Sequence, residues 1–209
     1  MMEPKGVRQM FSFDNGNLVS QFSSFFEAVP FLPILVGVLL ASAAGLRAFF
    51  PLCALAWAVH FRIASVGPAF SWLDSPFSLI AFTTAVILEG IGDKFPAVDH
   101  LLDGIGAFIK PVAGTILVAA PLVRLDPFWA VVIGIIGGAT VSEGIHLVKA
   151  QGRLAANLFS FGFAAPVLSF LEDGLAILLI LCAFFIPLAG LLILLFILAR
   201  RRRKKTIPT

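Results

Sequence analysis

The sequence has 209 residues, of which 59% are hydrophobic and only 13% are charged, and its formal net charge is +3. Soluble domains carry about 25% charged residues and could not bury this much apolar surface, so the composition excludes an ordinary soluble protein. A basic tail, residues 200–205, follows the last apolar run. Such a block is explained by membrane orientation, so we expect no nucleic acid as a partner.

Residues 1–30 are polar at first and then amphipathic, with Leu18, Phe22 and Val29 recurring at helical spacing. This pattern predicts a cytoplasmic or interfacial segment that lies on the membrane. Ala41-Ser42-Ala43 resembles a signal-peptide cleavage site, but the region before it is too long and too acidic for a signal peptide.

The first apolar segment covers residues 31–60, although about 20 residues suffice to cross a bilayer. Gly45, Arg47 and Pro51 interrupt it, which predicts a tilted, kinked or broken helix. A second span is predicted over residues 77–92.

Residues 96–110 carry apolar side chains on one helical face and charged side chains off that face. They form either an interfacial helix or the polar first half of a long span that ends near Val123. The repeat described below favours the long span.

Apolar runs in the second half of the chain predict three further spans, at residues 129–143, 158–171 and 175–199. A polar helix is expected over 146–157, between the first two of these. Residues 124–127 form a short link between the two halves of the chain.

The two halves are related by a repeat. The segments Ala107–Gly114 and Ala183–Gly190 share Ala, Phe, Pro, Ala and Gly at equivalent positions. With three spans per half, the repeats would be inverted, as in many secondary transporters. We therefore predict an all-α membrane protein with about six transmembrane helices in two inverted three-helix repeats, some of them broken or kinked. The repeats would cover residues 31–123 and 128–198, followed by a basic cytoplasmic tail at 199–209.

Charge counting gives the predicted orientation. Six spans place nearly all Lys and Arg residues on one side of the membrane and only Arg62 and Arg124 on the other, with Arg47 left inside the first span. Because the more basic side normally faces the cytoplasm, both termini are predicted to be cytoplasmic in a multi-pass inner-membrane protein.

Arg47 is the most informative residue, because it lies deep in an apolar segment where a charge must be paired or hydrated. Alignment of the halves makes Glu143 its predicted partner. Two interpretations stay open, a structural ion pair between two helices and a role in a substrate or ion pathway.

Further candidates are acidic residues near predicted span ends. Glu89 and Glu172 occupy matching places in the two halves and are either proton or cation carriers or simple helix ends in the headgroup region. Asp93, Asp103 and Lys110 belong to a second polar cluster, which is either functional or a solvated face.

Other chemistry receives little support. Glu143 and His146 have the Glu-x-x-His spacing of di-iron bundles, but those sites need two copies and this chain has one, so we predict no metal. Nucleotide-binding and nucleophile motifs are also absent, so neither an enzyme nor a cofactor is predicted.

Three segments carry a resemblance to a known family: residues 39–49 (LLASAAGLRAF), 93–99 (DKFPAVD) and 110–114 (KPVAG). Through them, most of residues 31–198 resembles an uncharacterised bacterial integral membrane family, domain of unknown function 4126. The resemblance implies a small bacterial membrane protein without an assigned chemistry.

The leading functional hypothesis is a small transporter or channel-like protein that moves a solute or ion between the repeats, with an anion among the candidate substrates. The alternatives are a carrier-lipid or phospholipid flippase, in which Arg47 holds a lipid phosphate, and a non-transporting scaffold or accessory subunit. The expected partners are membrane lipids and a small solute or ion, and a homo-oligomer is possible.

Overall fold

The computed structural model describes residues 31–92, 96–160 and 165–205, and among these the side chains of 31–92, 104–156, 167–190 and 192. Within the described part of the chain the regular secondary structure is all helical, with no strand. Its α-helices are α1 Leu32–Leu46, α2 Phe49–His60, α3 Pro76–Gly92, α4 Pro96–Ala119, α5 Pro127–Ile133, α6 Thr140–Ser160 and α7 Ala165–Lys205. A 3₁₀ helix, Pro68–Asp74, precedes α3, and wider π-helical turns, Gly134–Ala139, join α5 to α6 without a break.

The first apolar segment is divided into two short helices, α1 with 15 residues and α2 with 12. Arg47 separates them, because its extended backbone interrupts the helical hydrogen bonding. At a rise of 1.5 Å per residue the two helices are about 22 Å and 18 Å long, and neither spans the ~30 Å hydrocarbon core alone.

Helix α1 runs antiparallel to α4. Near its start, Gly37 lies against the backbone of Val118, and near its end, Gly45 lies against Ser142, whose hydroxyl bonds the carbonyl of Lys110. The start of α1 is therefore level with the end of α4, and Arg47 is level with the middle of α4.

Helix α2 runs in the opposite direction. The backbone N–H groups of Ala48 and Phe49 bond Glu89 near the end of α3, whereas His60 at the other end of α2 contacts Asp74 before α3 begins. The loop that follows α2 bonds the end of α4, through Gly67 N–H and the carbonyl of Ala120. The chain thus reverses at Arg47, and residues 32–60 form a helical hairpin rather than the predicted single broken span.

The reversal changes the predicted side of two arginines. Because the chain turns back at Arg47, the loops that carry Arg62 and Arg124 lie at the same end of the molecule as the start of α1. The sequence prediction had placed these two arginines on the side opposite the N-terminus. A hydropathy profile cannot distinguish the two cases, since the largely apolar segment 32–60 would give the same profile as a tilted span and as a hairpin.

The remaining helices differ from the predicted spans mainly in where they begin and end. Helix α4 is continuous from Pro96 to Ala119, which answers the open question in favour of the long helix. The span expected to end at residue 143 continues into the polar segment, since the described helical turns run unbroken from Pro127 to Ser160. Helix α7 has 41 residues and includes the second half of the predicted fifth span and all of the sixth.

Two helical segments are long and apolar enough to cross a membrane, Pro127–Ala156 and Val167–Gly190. The pair Pro68–Asp74 and Pro76–Gly92, bent by 65°, gives a third if it counts as one span. The described residues therefore form an all-helical membrane protein, in which the six-span inverted-repeat plan is not reproduced.

Glycines allow α4 to cross the helix formed by α5 and α6 at very close range. A side chain on Gly114 would overlap the backbone of Gly138, and a side chain on Gly138 would overlap that of Gly114. About one helical turn from this crossing, the hydroxyl of Ser142 meets the backbone carbonyl of Lys110. Apolar side chains of α1, α2 and α4, among them Leu40, Leu55 and Leu117, fill the adjoining core.

Candidate functional site

The tip of the hairpin, residues 46–49, places the end of α1 and the start of α2 inside the protein. A charged side chain forms hydrogen bonds with the backbone groups at each of these helix ends. The carboxylate of Glu89 accepts hydrogen bonds from the backbone N–H groups of Ala48, at 3.0 Å, and Phe49, at 3.3 Å. The ammonium of Lys149 donates to the carbonyl of Leu46 at the end of α1, at 3.1 Å. An anion at a helix N-terminus and a cation at a C-terminus both complement the helix dipole.

Arg47 itself is 1% exposed and reaches towards α7. Its guanidinium pairs with the carboxylate of Asp173 at 2.5 Å and donates to the hydroxyl of Ser169 at 3.3 Å. A further hydrogen bond reaches the backbone carbonyl of Glu89. Arg47 therefore ties the tip of the hairpin to α3 and α7.

Glu172, the neighbour of Asp173, joins α7 to α6. Its two carboxylate oxygens lie 3.1 Å from the ammonium of Lys149 and 3.0 Å from Nε of Arg153, and all three residues are at least half-buried. Lys149 thus contacts both the tip of the hairpin and Glu172 on α7.

Lys110 approaches the tip from α4. It is 4% exposed, and its ammonium lies 2.6 Å from Nδ1 of His146 on α6. The backbone carbonyl of Lys110 also accepts the hydrogen bond from Ser142, so both its side chain and its backbone are fixed against α6.

A cavity of about 40 Å³ lies beside the tip. Among its described lining residues, three are cationic, Arg47, Lys110 and Lys149, and one, Glu89, is anionic. We call this space the tip cavity. A water molecule needs about 10–15 Å³ by a comparable measure, so the tip cavity has room for a few waters or a small ion.

The structure gathers four of the seven residues predicted from the sequence, namely Arg47, Glu89, Lys110 and Glu172, around the tip. Glu143 was predicted to be the partner of Arg47, but Arg47 pairs with Asp173 instead. One buried oxygen of Glu143 finds no hydrogen-bond partner among the described residues. Asp93 lies outside the described residues, and Asp103 belongs to α4 without a described side chain.

Sequence reasoning did not select Lys149, Arg153 or Asp173 as site residues. Glu172 and Asp173 are adjacent in the sequence, so the choice of one suggests the other. Their angular separation on α7 explains why they pair with different cations. His146 was weighed as a metal ligand, yet within the described chain no group of three His, Cys, Asp or Glu side chains is placed to hold a metal.

A family model, the domain of unknown function DUF4126, matches residues 34–203. The match begins within α1 and ends near the end of α7, so it includes the hairpin and every described residue of the site. The comparisons with curated proteins and with solved structures gave no match.

Proposed function

Because the chain belongs to the DUF4126 family, whose chemistry is unassigned, we propose from the site alone that it is a small transporter or channel-like protein for an anionic solute or ion. The substrate would pass the tip of the hairpin, in contact with Arg47. The observation that carries this proposal is the tip cavity, in which three cations face one carboxylate.

The backbone geometry around the cavity supports the proposal. Helices that end at membrane depth are tolerated where they are buried in protein or line a water-filled space. Transporters use such broken helices to bring helix ends and their partners to a substrate. Here α1 ends at Leu46 and α2 begins at Phe49, and both residues line the tip cavity.

The cationic side chains supply the selectivity in this proposal. An anion that enters the cavity would meet Arg47, Lys110 and Lys149 and would replace part of their hydration or their existing contacts. A cation would meet three like charges and one carboxylate, Glu89, in the cavity lining. The carboxylates paired with Arg47 and Lys149, Asp173 and Glu172, lie behind that lining. Desolvated charges of this kind are costly within a membrane, and where they occur they commonly mark an ion or substrate pathway.

The orientation is also part of the proposal. With the hairpin entering and leaving on one side, α3, α4, the continuous α5–α6 helix and α7 would each cross the membrane. The start of α1 and the basic tail after α7 would then share one side, together with Arg62 and Arg124. The positive-inside rule assigns that side to the cytoplasm, which for a bacterial protein means the inner membrane.

Flux in proteoliposomes tests the function. Purified protein would be assayed with chloride, nitrate, phosphate and small carboxylates, alongside Arg47→Gln and, as control, Arg62→Gln, which removes an exposed arginine paired with Asp74. We expect flux of at least one anion, a loss of about tenfold or more in Arg47→Gln, and none in the control.

A second variant separates loss of function from loss of folding. Ile105 lines the cavity and is partly exposed, so Ile105→Trp would obstruct the space without removing a charge. We expect it to reduce flux while the protein remains monodisperse. Absence of anion flux across the whole set, or equal flux in wild type and both cavity variants, would refute the proposal.

A further inference from the structure

A second and much larger space lies next to the tip cavity. It has a volume of about 700 Å³ and is bounded by α2, the start of α3 and the middle of α4. Nearly all of its lining side chains are apolar, and they include Leu52, Phe82, Phe108, Val112 and Ile116. We call this space the lateral groove.

The lateral groove faces outwards from the helices. Phe77 and Phe108 on its rim are 82% and 80% exposed, and Val112 is also exposed. In a membrane protein such an outward, apolar opening between helices meets lipid tails rather than water. Its volume falls within the range of ~300–1,000 Å³ typical of ligand pockets.

The groove and the tip cavity adjoin each other along α4. Phe49 and Ile109 line both spaces, and the next residue after Ile109 is Lys110, whose ammonium belongs to the tip cavity. From Ile109 to Ile116 the groove extends about 10 Å along the helix axis, at 1.5 Å per residue. An apolar groove that faces outwards therefore lies directly beside a cluster of cations.

This juxtaposition matches one class of molecule. We propose that the lateral groove holds an acyl chain of a membrane lipid whose anionic phosphate headgroup reaches the tip cavity, so that the anionic substrate of this protein is a lipid. The inference rests on the proposed function in one respect, that the tip cavity receives an anion. Charge complementarity selects an anionic lipid over a zwitterionic one, since the described cavity lining carries Arg47, Lys110 and Lys149 against Glu89. Asp173 and Glu172, the partners of Arg47 and Lys149, are outside that lining.

Tryptophan fluorescence offers a direct test, because Trp72 lines the groove and the chain has only two other tryptophans, Trp57 and Trp129. The variant Trp57→Phe/Trp129→Phe leaves Trp72 as the sole reporter. The full-length variant would be placed in phosphatidylcholine vesicles with a small fraction of lipid brominated on its acyl chains. We expect brominated phosphatidylglycerol to quench Trp72 about fivefold more effectively than brominated phosphatidylcholine.

A matched reporter controls for general attraction of anionic lipid by the basic tail. Trp129, at the start of α5, is exposed and lies outside the groove lining. In the variant Trp57→Phe/Trp72→Phe, which retains Trp129, we expect the two brominated lipids to quench about equally. Equal headgroup preference at Trp72 and Trp129 would overturn the inference, because it would reflect bulk enrichment only.

A groove-filling variant then tests the occupant itself. Ala81 lines the groove, so Ala81→Phe in the Trp72 background should abolish the headgroup preference, whereas Ala189→Phe, at an exposed alanine of α7, should preserve it. Persistence of the preference in Ala81→Phe would also overturn the inference. Neither result depends on small-anion flux, so anion flux without lipid preference would leave the proposed function standing and remove only the lipid as substrate.

Discussion

The tip of the hairpin and the crossing of α4 with the α5–α6 helix are both buried, but they are held together by opposite means. At the crossing, Gly114 and Gly138 bring two backbones into direct contact, with the small side chain of Ser142 beside them and no charged group between them. At the tip, Arg47, Glu89 and Lys149 join helices through charges, and a cavity remains beside them.

The difference separates a structural joint from a region that can change its contacts. Small residues permit close van der Waals packing between membrane helices, and such an interface has no room for a substrate. In the ion pairs at the tip, another anion could replace the carboxylate, since a guanidinium or ammonium group binds a carboxylate and a phosphate by the same kind of hydrogen bond. Substitutions at the tip should therefore separate stability from function, whereas substitutions at the crossing should affect both together.

The largest effect is expected from breaking the ion pair between Arg47 and Asp173. Removal of one member of a buried pair costs about 3–5 kcal/mol, and we expect Arg47→Met near the lower value because the Asp173 side chain is 35% exposed. Thermal unfolding in detergent, followed by size-exclusion fluorescence, measures this loss.

The double variant Arg47→Met/Asp173→Leu sharpens the test. Apolar replacement of both partners is often neutral or stabilising, so we expect it to recover most of the lost stability without recovering flux. Recovery of both stability and flux would mean that the pair only connects α2 and α7 mechanically. That result would favour the alternative of a non-transporting scaffold.

The next effect concerns the crossing, where two neighbouring glycines have opposite surroundings. A Cβ atom on Gly138 would overlap the backbone of Gly114, whereas one on Gly137 would meet nothing within 4 Å. Overpacking of this kind costs about 1–3 kcal/mol, so Gly138→Ala should lower stability by that amount. Gly137→Ala should be neutral or stabilising, by up to about 1 kcal/mol, because alanine favours helix. Equal thermal stabilities of the two variants would contradict the close crossing.

Much of the helical pattern could be predicted from the sequence, because apolar runs in a chain of this composition form membrane helices. The interruption at Arg47 was also predicted, from a charge deep in an apolar segment. The reversal was not, because the residues that permit it are distant in sequence. Gly45 packs against Ser142, and Glu89 accepts a backbone hydrogen bond at the start of α2.

The candidate site was only partly predictable for a related reason. Arg47, Glu89, Lys110 and Glu172 stand out locally as charges in apolar surroundings. The choice of Glu143 over Asp173 as the partner of Arg47 rested on the assumption of two equivalent halves. The long continuous helix α7 breaks that equivalence and brings Asp173, one residue beyond Glu172, to the guanidinium.

The smallest of the three effects is expected at Glu89, and it separates helix capping from ion coupling. Glu89→Gln keeps one acceptor oxygen for the N–H groups of Ala48 and Phe49 but removes the charge at the start of α2, so we expect a loss of about 0.5–2 kcal/mol in stability. Glu143→Gln is the matched control, since one buried oxygen of Glu143 has no hydrogen-bond partner within the described chain and a neutral group is cheaper to bury. If Glu89 only caps α2, flux per folded molecule should match wild type in both variants. Loss of flux in Glu89→Gln at unchanged folded yield would instead identify Glu89 as a coupling carboxylate. The charge that takes part in transport would then lie at the start of α2, beside the tip cavity.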